Sequence, residues 1–88
     1  MDQAQFEAYV KAKGADAIET LELTADMTNE PHTHDFSASV YVLEGEISVT
    51  TDTETTTCRA GDTFTLQAGI SHHESVGGDG VRFLIGKF

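Results

Sequence analysis

The spacing of hydrophobic positions changes period early in this chain. Phe6, Tyr9, Val10 and the stem of Lys13 follow helical spacing, Asp2 with Gln5 three residues later has the form of a capping box, and Gly14 sits where a helix ends. One short amphipathic helix is therefore expected within residues 1–14. From Ala17 onward the period is two: Leu21 and Leu23, then Ala38, Val40 and Val42, then Ile47 and Val49, then Phe64 and Leu66, and finally Val81, Phe83 and Ile85. Alternation of this kind marks strands with one buried face, so residues 17–86 are expected to be β structure.

Turn-forming residues separate these runs at Glu44-Gly45, Asp52-Thr53, Ala60-Gly61-Asp62, Ala68-Gly69 and Gly77-Gly78-Asp79-Gly80. About six to eight short strands at such spacing predict an all-β sandwich or barrel. With 88 residues the chain is read as one domain, residues 1–88.

Charge narrows the partners. Five basic residues face 15 acidic ones, a formal net charge of -10 spread along the chain, so phosphate backbones and anionic lipid surfaces are repelled. No apolar run approaches the roughly 20 residues of a membrane span, and the first residues lack a basic segment followed by an apolar one. A cytoplasmic protein that binds neither nucleic acid nor membrane is expected. The single Cys58 has no partner for an intrachain disulfide, and with Arg59 turned to the opposite face it reads as a small buried hydrophobe rather than a nucleophile.

The candidate chemistry lies in two stretches. In EPHTHDFSASVYVLEGE, Glu30 to Glu46, His32 and His34 share the parity of Ala38, Val40 and Val42, so an extended segment turns both imidazoles toward the apolar, inward face. Inward imidazoles require hydrogen-bond partners or a metal. In GISHHES, Gly69 to Ser75, His72 and Glu74 share one parity while His73 has the other. Asp35 and His73 are accordingly expected on the outside.

These stretches resemble the two motifs of a small single-domain cupin, over roughly Leu21 to Ile85. The first cupin motif runs glycine, five residues, His-x-His, three or four residues, glutamate, six residues, glycine; His32, His34 and Gly45 fall in register, while Asp26 and Ala38 stand at the leading glycine and the glutamate. The second runs glycine, five residues, proline, any residue, glycine, two residues, histidine, three residues, asparagine. Gly61, Gly69 and His72 match it, with Gln67 at the proline and Val76 at the asparagine.

The resemblance implies a cupin double-stranded β-helix (jelly-roll) barrel behind the N-terminal helix. It also implies a divalent transition metal, whether iron, zinc, nickel or manganese, held in the barrel pocket by His32, His34 and His72, without the usual anionic ligand because Ala38 replaces it. Glu74, by parity, projects toward the same cavity as a fourth ligand, a partner of a ligand, or a catalytic acid or base, the alternative being a solvated strand residue near the barrel mouth. Tyr41 and Leu43, on the face opposite the cavity, call for cover by the helix or by a second subunit, and small cupins commonly pair as homodimers. Two function classes follow: a metalloprotein, either enzymatic or not, acting on a small molecule, and a non-catalytic ligand-binding or sensor cupin without metal. A barrel with a vestigial pocket is the third reading.

Overall fold

The computed structural model describes residues 1–88. Helix α1, Gln3–Ala12, begins with the expected box: the Asp2 carboxylate accepts from the Gln5 amide at 2.8 Å, and the Gln5 side chain accepts from the Asp2 amide at 2.8 Å. Two otherwise unpaired amides of the first turn are thereby satisfied. The helix stops at Lys13, and Gly14 follows at φ 110°, a backbone conformation that favours glycine.

Five strands follow: β1 Ile18–Leu23, β2 Ala38–Thr51, β3 Thr55–Arg59, β4 Thr63–Leu66 and β5 His72–Lys87. All pairings are antiparallel, in the order β1-β5-β2-β3, with β4 also paired to β2. The first half of β2 bonds β4 and the end of β5, while its second half bonds β3 and the start of β5. Because β2 and β5 each serve two different sets of neighbours, the sheet curls on itself as a barrel.

Five strands form where about six to eight were expected. Asp52-Thr53, Ala60-Gly61-Asp62 and Ala68-Gly69 are turns, but Glu44-Gly45 lies inside β2 and the Gly77–Gly80 run lies inside β5. The physical reason is a close approach. Gly45 has φ 84°, Gly80 has φ 76°, and a Cβ on Gly45 would sit 2.0 Å from the Gly80 carbonyl oxygen. Register shifts flank Gly45 on both sides, so these glycines bend two long strands across one another instead of ending them.

The alternating residues fill two compartments. Val40, Val42, Ile47, Cys58, Val76 and Phe83 pack inside the barrel. Phe6 and Val10 of α1 pack outside it with Ala15 and Leu84, and Tyr41 and Leu43 lie against this second cluster. The outer face of β2 thus finds its cover within the chain: the Phe6 and Tyr41 rings stand 5.6 Å apart. Gly86 lets the helix approach, since a Cβ there would lie 2.8 Å from Cβ of Val10. Burying Phe6 and Val10 contributes about 1.5–3 kcal/mol each. Cys58 is 2% exposed within the inner core; burial, reinforced by the Asp62 carboxylate, pushes its thiol above the ordinary value, which suits an inert hydrophobe.

Candidate metal centre

His32 and His34 do not lie on the extended strand expected from their shared parity with Ala38, Val40 and Val42; β2 begins only at Ala38, after a bend at Asp35-Phe36. They are held instead by an irregular pairing. The segment from Met27 to His34 runs antiparallel along the turn and strand that carry His72. Val76 donates its amide to the Met27 carbonyl (2.8 Å), Asn29 to that of Glu74 (3.3 Å), and Gly69 to that of His34 (2.8 Å). His32 and His72 exchange both backbone hydrogen bonds, at 2.9 and 3.0 Å. Segments forty residues apart in sequence are thus fixed side by side by backbone bonds that do not depend on side-chain identity.

The three imidazoles converge. Ring centroids of His32 and His72 are 4.5 Å apart, those of His32 and His34 4.9 Å, and those of His34 and His72 5.3 Å. One ring nitrogen from each lies within 4.8 Å of the others. His34 also stacks on Phe36, centroids 4.8 Å apart at 22°. His73 stands outside the cluster, and Asp35 is exposed.

Two of the histidines are oriented in the same way. His32 Nδ1 meets the Glu30 carbonyl at 2.8 Å and His72 Nδ1 meets the Ile70 carbonyl at 2.9 Å. A carbonyl only accepts, so each Nδ1 carries the proton in the neutral ring and each Nε2 presents a lone pair to the pocket. His72 is 2% exposed, and its Nε2 has no hydrogen-bond partner. A buried acceptor left unpaired costs about 1–3 kcal/mol. Imidazole nitrogens with fixed protons and free lone pairs are the donor set that first-row divalent metals prefer, so these residues fit the metal that the motifs imply.

Glu74 faces the same space from β5. Its Oε1 is 3.7 Å from His72 Nε2 and its Oε2 is 3.8 Å from His32 Nε2. Asn29, which no local motif singles out, holds it in place: the Asn29 side-chain amide donates to Glu74 Oε2 at 2.5 Å and its side-chain oxygen accepts from the Glu74 backbone amide at 2.7 Å.

The cluster opens into a cavity of about 260 Å³. Its walls include Leu21, Met27, Ala38, Phe64, Phe83 and Ile85, with Lys87 as a cation among the lining residues. Residues at departures from the motifs have structural explanations. Asp26, in place of the leading glycine, keeps a left-handed backbone at φ 59°, a conformation that aspartate tolerates better than most residues. Gln67 starts the turn closed by the Ile70 amide, with Gly69 at φ 82°. Val76, in place of the asparagine, is 5% exposed and belongs to the inner core.

The cupin domain profile matches residues 20–85. The chain is a cupin. Among solved structures, this cupin is similar to a protein of unknown function from Rhizobium leguminosarum (TM-score 0.76, 22% identity, covering 81% of this chain and 67% of that one). It is also similar to the Cnp3 cupin domain of Schizosaccharomyces pombe (0.73, 19%, 85% and 56%) and to the polyketide cyclase RemF of Streptomyces resistomycificus (0.69, 24%, 88% and 58%). At these identities the likeness carries the fold alone, and the cupin spans only 56–67% of the lengths of these three structures. No curated protein matches the sequence. No helix is long and apolar enough to cross a membrane.

Proposed function

We propose that this cupin binds one divalent transition metal through His32, His34 and His72 and presents it to a small molecule in the adjoining cavity. The observation that carries this reading is the unpartnered Nε2 of His72, 2% exposed and turned toward two further imidazoles. When bound, such a metal supplies Lewis acidity and an open coordination position.

The chain's own residues define what else can enter. The Nδ1–H bonds to Glu30 and Ile70 fix the tautomers of His32 and His72. Phe64, Phe83, Met27 and Ile85 give the cavity an apolar wall. A volume of about 260 Å³ lies below the roughly 300–1,000 Å³ of drug-sized sites. The fitting ligand is therefore a small molecule with a metal-seeking polar group and an apolar body, either transformed as a substrate or held as an effector.

Calorimetric titration of apo protein with zinc, nickel and manganese tests the reading. One site per chain, lost in the His32→Ala/His34→Ala/His72→Ala variant, is expected. Equal binding by the triple variant, or no binding by either protein, contradicts it.

A further inference from the structure

We infer that Glu74, clamped by Asn29, is the anionic metal ligand of this site, relocated from the usual position at residue 38 to β5, two residues after His72. The inference rests on the metal-binding reading above and deepens it.

The electrostatics of the cluster motivate it. The protons on Nδ1 of His32 and His72 leave lone pairs on both Nε2 atoms, and a carboxylate oxygen of Glu74 points at each of them, at 3.8 and 3.7 Å. Neutral imidazole Nε2 and an ionised carboxylate are all acceptors, so no hydrogen bond relates them, and these distances exceed the hydrogen-bond range of about 3.2 Å. A cation placed between these atoms would satisfy all three side chains at once. Two neighbouring ligands of one ion, each about 2.0–2.2 Å from it, stand roughly 3–3.5 Å apart, a little below the 3.7 and 3.8 Å observed, and a five- or six-coordinate ion held by the three histidines and Glu74 keeps a position open.

Asn29 explains why the carboxylate stays there. It bonds the side chain and the backbone of Glu74 at once, at 2.5 and 2.7 Å, and its own amide bonds the Glu74 carbonyl. A free glutamate would rotate away from two facing lone pairs, whereas this one is held against them. Ala38 lines the same cavity with a methyl group where a glutamate would otherwise reach in. Ala38 and Glu74 thus line one cavity, the first without a charge and the second with one. A metal ligand must be deprotonated and immobile, and a carboxylate pinned by an amide donor meets both conditions better than it meets the mobility demanded of an acid–base group.

Cobalt(II) and zinc(II) titrations of the wild type, Glu74→Gln, Asn29→Ala, Glu74→Gln/Ala38→Glu and the triple histidine variant test this, read by dissociation constant and by the cobalt d–d spectrum. Circular dichroism confirms that each is folded. Glu74→Gln is expected to weaken zinc by at least 100-fold and to alter the cobalt spectrum. Asn29→Ala, a positioning change, is expected to weaken binding by about 10-fold with a spectrum close to that of the wild type. Returning the carboxylate at residue 38 is expected to restore most of the affinity. If Glu74→Gln keeps the wild-type affinity and spectrum while the triple variant loses the metal, the relocation is wrong and the three-histidine site stands. If the wild type itself takes no metal, both fall.

Discussion

His32 and His72 exchange both backbone hydrogen bonds, at 2.9 and 3.0 Å, and each donates its own Nδ1–H to a carbonyl two residues upstream. The same local device thus acts twice, from two distant segments, and aims two Nε2 atoms at a shared point. Backbone pairing sets the distance between the rings and the carbonyls set their tautomers, so the site is organised before any ion arrives. Several measurable consequences come from this arrangement and from the bends that frame it.

Metal binding should stabilise the fold by mass action. At zinc concentrations 100 times the dissociation constant the gain is about 2.7 kcal/mol, which for a domain of this size raises Tm by about 10–20 °C. Differential scanning calorimetry should show this shift in the wild type, its reversal by a chelator, and no shift in the triple histidine variant.

Gly45 should tolerate no side chain. Its Cβ would fall 2.0 Å from the Gly80 carbonyl oxygen, and its φ is 84°, so Gly45→Ala is expected to cost more than about 3 kcal/mol. Gly78→Ala, with nothing within 4 Å of the new methyl, is expected to change stability by less than about 1 kcal/mol. Urea unfolding of the two variants checks the contrast; comparable losses would remove the close-approach explanation of the bends.

Asp26 carries a left-handed backbone at φ 59° that glycine adopts freely. Asp26→Gly should therefore raise stability by about 0.5 kcal/mol, while Asp26→Val, which is β-branched, should lower it by about 1–2 kcal/mol. The order Gly, Asp, Val in denaturant midpoint is the expected result.

The same positions show what was legible in the sequence. Period-two parity located the cavity face, because Ala38 and Val40 line the cavity with His34 and His72. The capping box and Gly14 bounded the helix. Parity did not show that β2 and β5 run through their glycines, because Gly45 and Gly80 are explained only by each other, across two strands. Nor did it reveal Asn29, whose bonds to Glu74 span 45 residues and leave no local signature. The histidines came together although Met27 to His34 forms no regular strand, since irregular backbone pairing preserved the facing that alternation predicted.

Cys58 should be silent toward alkylating reagents in the folded protein and should react at a rate that follows unfolding. Its thiol is held above its ordinary value by burial and then by Asp62. A group whose folded value is raised contributes stability that is complete below the unfolded value, about 8.5, and is lost as pH rises toward the folded one. Alkaline destabilisation should therefore begin above that pH and be smaller in Cys58→Val, as thermal unfolding between pH 7 and 10 would record. Equal alkaline losses in the two proteins would exclude the thiol as their source.

Removing Phe6 should detach the helix without dismantling the metal centre. Phe6 is 1% exposed against Tyr41 and Leu84, so Phe6→Ala is expected to cost about 3–5 kcal/mol. Zinc affinity, measured at a temperature where the variant remains folded, should stay within threefold of the wild type. A larger fall would tie the helix to the site.

The central claim, that His32, His34 and His72 hold a metal, is tested most directly by the metal content of tag-free protein after reconstitution and desalting, determined by mass spectrometry beside the triple variant. About one equivalent per chain in the wild type and none in the variant is the predicted result. No metal in either protein, or equal metal in both, would contradict it.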